Sequence, residues 1–106
     1  MLIVDAHEDI AWNALTFGRD YTTSAHQIRA AEANSETPSQ NGSACLGHAE
    51  WIAGRVGVVF GTLFVSPYRR RMGTWDHMCY RDTDEDYRMA QAQLDYYLRL
   101  EDQHSE

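Results

Sequence analysis

The chain has 106 residues, of which 43% are hydrophobic and 24% are charged, and its formal net charge is −7. This length limits the chain to one modest core, and the composition is that of a globular protein. The negative charge argues against a nucleic-acid partner, because phosphate binding requires a concentrated basic surface. No apolar run approaches the roughly 20 residues that a transmembrane helix needs. We therefore expect one domain over residues 1–106 that binds neither nucleic acid nor a membrane.

The N-terminal sequence MLIVDAHED shows neither the basic region nor the cleavage site of a secretory signal. A cytoplasmic location is therefore expected. In that compartment the two cysteines, Cys45 and Cys79, are expected to be reduced thiols rather than a disulfide.

The first half of the chain predicts one strand followed by helices. Leu2–Ala6 is a short apolar run typical of a buried parallel strand, and a helical turn is expected in Ile10–Leu15. Thr23 or Ser24 is a candidate N-cap for the next helix. Asn34–Gly47 is rich in Ser, Asn, Pro and Gly and predicts a loop.

The second half contains the most strand-like sequence of the chain. A short helix is expected to turn Trp51 and Ile52 toward a sheet. Arg55–Pro67 then gives a nearly unbroken run of Val, Phe and Leu, which predicts a strand that is buried on both faces. The sequence that follows, from Tyr68, predicts a long irregular loop.

A helix is expected at the end of the chain, over about residues 84–101. Thr83 and Asp86 resemble a capping box at its start. An apolar stripe at helical spacing predicts the face that covers the sheet; it consists of Tyr87, Ala90, Leu94, Tyr97 and Leu98.

The resulting order of strand, helices, strand and helix favours an α/β fold with parallel strands. Two strands cannot close a barrel, and each would leave an unpaired edge. The pattern therefore predicts an incomplete architecture.

His7 and Asp9 are the strongest candidate site residues. If the first strand continues through Asp9, both side chains project to one side while Glu8 projects to the other. Imidazole nitrogen and carboxylate oxygen are both good zinc ligands. A histidine and an aspartate at this spacing also commonly form a structural hydrogen-bonded pair. The His-x-Asp spacing alone is therefore compatible with either a metal site or a structural pair.

The surrounding sequence IVDAHEDIAWNALTFGRDYT resembles the opening of the membrane dipeptidase family, the renal dipeptidase-like M19 metallopeptidases. The resemblance extends through LGHAEWIAGRVGVVFGTLFVSP and CYRDTDEDYRMAQAQLDYYLRL, and so covers nearly the whole chain. It implies the first two β/α units of an incomplete (β/α)8 TIM barrel of the amidohydrolase type. It also implies a dizinc site, a dipeptide substrate, and the roles of His7 and Asp9 as metal ligands.

Only those two ligands carry over from the family pattern. The family's bridging glutamate and two further histidines belong to later strands, which this sequence does not contain. A catalytic zinc site usually has three protein ligands, and a TIM barrel takes about 250 residues. The resemblance therefore predicts a zinc-dependent dipeptidase, and the missing ligands predict that this chain alone is inactive. The chain would then be either a fragment whose C-terminal portion is missing or one piece of a larger assembly.

Two other groups of residues are weaker candidates for binding sites. Cys45 with His48, and His77 with Cys79, have the residue types of a structural zinc site, although their spacing is irregular and both pairs fall in expected loops. The arginines of Tyr68–Gly73 could bind a carboxylate or a phosphate, but neighbouring acidic residues make mutual neutralisation the simpler expectation.

The alternative function is a non-catalytic barrel remnant that acts as an oligomeric or protein-binding module. Exposed strand edges and outer apolar stripes would then need a partner, which could be a second copy of the chain.

Overall fold

The computed structural model describes residues 1–104, so the end of the predicted 1–106 domain lies outside the described residues. In chain order the strands and helices are β1 (Ile3–Glu8), α1 (Ile10–Phe17), α2 (Ala25–Glu32), α3 (Thr37–Asn41), α4 (His48–Ala53), β2 (Val56–Gly61), β3 (Ser66–Pro67), a 3-10 helix (Tyr68–Arg70), β4 (Cys79–Tyr80) and α5 (Thr83–Gln103). The chain divides into two units, of which the first comprises Met1–Glu8 and Phe17–Phe60 and the second Asp9–Thr16 and the chain from Gly61 onward.

The strands form two small parallel sheets rather than one. β1 pairs with β2, and the N–H of Ile3 donates to the carbonyl of Arg55 (2.9 Å) where the pairing begins. β3 pairs with β4 in a register that sets Ser66 opposite Cys79. The α/β character and the parallel direction agree with the sequence, but each sheet has only two strands.

The predicted incomplete TIM barrel is therefore wrong. The apolar run expected to form one strand over Arg55–Pro67 leaves the first sheet at Gly61, and the chain enters a second sheet at Ser66. Between the two, the backbone of Phe64 bonds the side chain of Gln93 instead of a neighbouring strand. This breaks the continuous parallel ladder that a barrel would require.

The expected burial of the apolar strands is also wrong. In β2, Val58 and Phe60 remain 44% and 58% exposed, and in β1 Val4 is 55% exposed. A strand of a barrel is covered on both faces, by helices outside and by packed side chains inside. Neither β1 nor β2 has that cover in the described chain.

In the first unit the helices pack largely through aromatic and charged side chains. Ser24, one of the two candidate N-caps, begins α2 with a complete capping box that involves Gln27. Tyr21 stacks on Trp51 of α4, with ring centroids 6.3 Å apart. Ile52, which was expected to pack on the sheet, is 65% exposed.

A close backbone approach fixes the start of α4. The N–H of His48 donates to the carbonyls of Tyr21 (2.9 Å) and Thr23 (3.2 Å). A Cβ added to Gly47 would lie 2.2 Å from the Thr23 carbonyl oxygen, so only glycine fits there. The segment expected to be a pure loop before α4 contains the short helix α3.

In the second unit the buried apolar side chains of α1 are Ile10, Ala11 and Trp12. The indole of Trp12 meets the ring of Phe64 edge to face, with centroids 6.0 Å apart. A Cβ on Gly61 would lie 2.8 Å from the ring of Tyr97, so a glycine is required where the chain leaves β2.

α5 begins one residue earlier than the sequence suggests. Asp82, rather than Thr83, is the N-cap, and its carboxylate accepts from the N–H of Glu85 (2.8 Å). The predicted apolar stripe does not form the buried face: Tyr87 is 71% and Leu98 50% exposed. The fully buried residue of this helix is Gln93.

α5 has the length of a membrane-spanning helix but carries many charged side chains. Within residues 1–104, none of the helices combines the length and the apolar character that crossing a bilayer requires.

Candidate functional site

His7 lies near the end of β1, in the first unit. Its side chain is exposed, and its backbone N–H donates to a carboxylate oxygen of Asp5 (3.1 Å). The strand ends at Glu8 and so does not continue through Asp9. Alternation along a strand therefore does not determine the direction of Asp9.

Asp9 belongs to the second unit and directly precedes α1. Its backbone carbonyl accepts from both the N–H (3.0 Å) and the side-chain amide (2.9 Å) of Asn13. The hydroxyl of Thr62 donates to the Asp9 carboxylate in a short hydrogen bond. The carboxylate is thus held by a side chain that directly follows β2.

Tyr97 connects this region to α5. Its hydroxyl donates to the carbonyl of Thr62 (2.9 Å) and accepts from the N–H of Ala11 (3.2 Å). Burial raises the pKa of Tyr97, and the negative charge of Asp9 contributes in the same direction. The phenol is therefore neutral at physiological pH and can serve as donor and acceptor at once. Sequence reasoning missed Thr62 and Tyr97, since neither lies in a recognisable motif with Asp9.

Glu8, which was expected to point away from the candidate ligands, is half-buried in the first unit. Burial is the main cause of a raised pKa at Tyr21, and the charge of Glu8 adds to it. Glu8 thus acts electrostatically on an aromatic residue of its own unit.

Zinc ligation is not complete in the described chain. Throughout residues 1–104, no group of three or more His, Cys, Asp or Glu side chains is arranged to hold a metal ion. Cys45 is an exposed free thiol and Cys79 a buried one. His7 and Asp9 have the donor chemistry that zinc accepts, but they amount to two ligands of the three that a catalytic site usually takes from the protein.

The arginine-rich sequence after β3 forms a stabilised loop. The guanidinium of Arg71 donates to the carbonyls of Asp76 (3.2 Å) and Thr74 (3.0 Å), and to the hydroxyl of Tyr68 (3.1 Å). The buried carboxylate of Asp76 in turn accepts from the N–H of Met72 (3.2 Å). Arg71 therefore holds the loop together, and its N–H groups are used internally.

A second charged cluster lies in the first unit, beside a cavity of about 360 Å³. Arg19 and Glu32 are both buried, and the guanidinium Nε lies 2.6 Å from a Glu32 oxygen. Arg19 also donates to the carbonyl of Gly42 (2.8 Å). Burial acts to lower the pKa of Arg19, but the hydrogen bonds and charges of Glu32 and Tyr21 together outweigh it and raise the pKa. Arg19 and Glu32 thus form a buried ion pair with a structural role.

Comparison of the chain with known protein families, with curated proteins and with solved structures yields no match.

Proposed function

We propose that this chain supplies the first two metal ligands, His7 and Asp9, of a zinc-dependent dipeptidase whose other ligands come from polypeptide outside the given sequence. The proposal depends on the sequence resemblance of the first block to the membrane dipeptidase family and does not require the barrel. The observation that carries it is the oriented carboxylate of Asp9, which accepts a hydrogen bond from the Thr62 hydroxyl.

A metal ligand needs an oriented donor, and outer hydrogen bonds commonly provide that orientation. Thr62 does so for Asp9, and Tyr97 in turn anchors the backbone of Thr62. His7 offers an exposed imidazole near the end of β1. A bound zinc ion would supply a water nucleophile at neutral pH for attack on a dipeptide carbonyl.

The cytoplasm remains the proposed compartment. Both cysteines are free thiols, and Cys45 is exposed, which suits a reducing environment.

The test is made on the natural product in its source cells. An antibody raised against α5 captures it, and its intact mass is compared with the 12.2 kDa of this chain. We expect a larger product that hydrolyses dipeptides, loses activity on chelation and recovers it with zinc. His7→Ala and Asp9→Asn should abolish that activity, whereas His26→Ala, which removes another exposed histidine, should not. A product without metal-dependent dipeptide hydrolysis would contradict the proposal.

A second candidate function is a non-catalytic module that associates through its first sheet. The supporting observation is the exposure of large apolar side chains on both strands, including 55% for Val4 and 58% for Phe60. Two-stranded sheets also leave edges on which another strand can pair. Size-exclusion chromatography with and without zinc distinguishes the two candidate functions. A discrete dimer that forms equally with and without zinc favours the non-catalytic module.

A further inference from the structure

Tyr68 lies between two guanidinium groups in the second unit. It begins the 3-10 helix after β3, and its side chain is 39% exposed. The guanidinium carbon of Arg81 lies 4.3 Å from the centroid of its ring, and that of Arg71 lies 5.4 Å away. Both contacts fall within the range of cation–π interactions.

The same two arginines act on the phenol oxygen. Arg71 Nη1 donates to the Tyr68 hydroxyl (3.1 Å). Hydrogen bonding to Arg81 is the largest cause of a lowered pKa at Tyr68, followed by the hydrogen bond and the charge of Arg71. Negative charge on this oxygen is therefore stabilised by two nearby cations.

Both arginines are held in place by other contacts. Arg71 is anchored by the carbonyls of Thr74 and Asp76. Arg81 pairs with Glu85 at 3.7 Å, and its backbone N–H donates to the same carboxylate (3.0 Å). Arg71 is therefore in position before the phenol ionises, and the Arg81 side chain, which is 62% exposed, is restrained by one ion pair.

The surroundings leave room for a small reagent beside the ring. A cavity of about 240 Å³ is bordered by Tyr68 and the two arginines, with the titratable side chains Asp76, His77, Cys79 and Glu85. Asp76 accepts a backbone hydrogen bond, and burial is the main cause of a raised pKa at Cys79. Burial thus disfavours the thiolate of Cys79 and limits access to it, whereas the phenol of Tyr68 is exposed and lies beside two cations.

We propose that Tyr68 is a covalent modification site, a nucleophilic tyrosine held between Arg71 and Arg81 that reacts with sulfonyl electrophiles. The phenol first gives its proton to solvent. A lone pair of the phenolate oxygen then forms a bond to sulfur, and the bond from sulfur to its leaving group breaks. With a sulfonyl fluoride, fluoride departs with the electron pair of that bond, and no oxidant or reductant takes part.

The test uses the full chain and an aryl sulfonyl fluoride in limiting amount. Mass spectrometry of tryptic peptides gives the labelling rate of each tyrosine at mildly alkaline pH. Tyr87 is the internal reference because it is 71% exposed, so access alone would favour it over Tyr68. We expect Tyr68 to react several-fold faster than Tyr87, and its rate to rise at lower pH than that of Tyr87.

Charge variants show whether the arginine contacts cause the reactivity. Arg81→Gln should slow the labelling of Tyr68 toward the labelling rate of Tyr87. Arg81→Lys, which keeps the charge, should give an intermediate labelling rate. Arg69→Gln removes the same charge from the adjacent exposed residue and should leave the rate unchanged. Circular dichroism of α5 confirms that each variant is folded. A Tyr68 rate no greater than that of Tyr87, or an equal loss in Arg81→Gln and Arg69→Gln, would overturn the proposal.

The reactivity requires no metal, so a chelator should leave it unchanged. The result of the labelling experiment is therefore independent of the proposed dipeptidase function.

Discussion

The side-chain amide of Gln93 makes both backbone hydrogen bonds of Phe64. The Phe64 N–H donates to Oε1 at 2.8 Å, and Nε2 donates to the Phe64 carbonyl at 2.6 Å. Gln93 is fully buried within α5. One helix side chain therefore satisfies a donor and an acceptor that a neighbouring strand would otherwise pair.

Replacement of this amide should destabilise the chain. Gln93→Leu introduces an apolar side chain of similar size and leaves the Phe64 N–H and carbonyl without that partner, which should cost about 2 kcal/mol of unfolding free energy. Urea unfolding monitored by circular dichroism measures this change in unfolding free energy. Gln91→Leu is the matched control, because the Gln91 amide donates to the carboxylate of Asp95 one turn along the same helix (3.0 Å) and not to a distant backbone group. A Gln93→Leu variant within about 0.5 kcal/mol of the parent would show that the contact is unimportant.

Gln93 also marks the limit of what the sequence could predict. Periodicity located α5 within a few residues, because helical spacing is a local property. It assigned the buried face to Tyr87 and Leu98, which are mostly exposed. The pattern assumes that apolar residues are buried, and it cannot anticipate a glutamine that is buried because a distant backbone group needs its amide.

The same limit applies to the strands and to the candidate site. The apolar content of Arg55–Pro67 predicts extended backbone, yet content alone does not reveal that the run divides between two sheets. His7 and Asp9 were identified from their residue types and from resemblance. Thr62, which bonds Asp9, was not, because no local signal connects residues on different elements.

The buried pair of Arg19 and Glu32 should show strong energetic coupling. Arg19→Met leaves the Glu32 carboxylate buried without its main partner, and we expect a loss of about 3 kcal/mol in unfolding free energy. The double variant Arg19→Met/Glu32→Leu removes both charges and should recover much of that loss. Urea unfolding of the two single variants and the double variant gives the coupling energy. Additive single losses would contradict this account of the pair.

Stability should fall in alkaline solution because two phenols are kept neutral by the fold. Burial is the main cause of a raised pKa at both Tyr21 and Tyr97. A raised pKa means that the unfolded chain loses these protons first. The stabilisation is therefore complete below the ordinary pKa of 10.0 and is lost as pH rises through that value toward the pKa of the folded state.

Unfolding free energies measured from neutral pH to about pH 11 test this linkage. Tyr97→Phe should reduce the slope with pH, although the loss of its two hydrogen bonds lowers stability at every pH. Tyr87→Phe changes an exposed phenol and should leave the slope unchanged. Equal effects of the two substitutions would indicate general charge repulsion instead of burial.

The exposed first sheet should promote self-association. Val58 and Phe60 of β2 are 44% and 58% exposed, and burial of such side chains is worth about 25 cal/mol per Å². Light scattering after size exclusion should show a molar mass that rises with concentration. Val58→Thr/Phe60→Thr should shift the equilibrium toward monomer, while Ile52→Thr, at a 65% exposed position on α4, should not. A parent chain that remains monomeric at all accessible concentrations would rule out this surface as a contact.

The purified chain should not hydrolyse dipeptides, with or without added zinc. Its candidate ligands are one imidazole and one carboxylate, and within the described residues 1–104 no group of three or more His, Cys, Asp or Glu side chains is arranged to hold a metal ion. A metal held by two side chains binds weakly and is not fixed in a catalytic geometry. Amine release from a panel of dipeptides, with zinc in excess and after chelation, measures the activity. Turnover that depends on zinc and disappears in His7→Ala would contradict this prediction and would show that a working site forms without any other protein. In that case a second copy would have to supply the missing ligands, and activity should then rise with the square of the chain concentration.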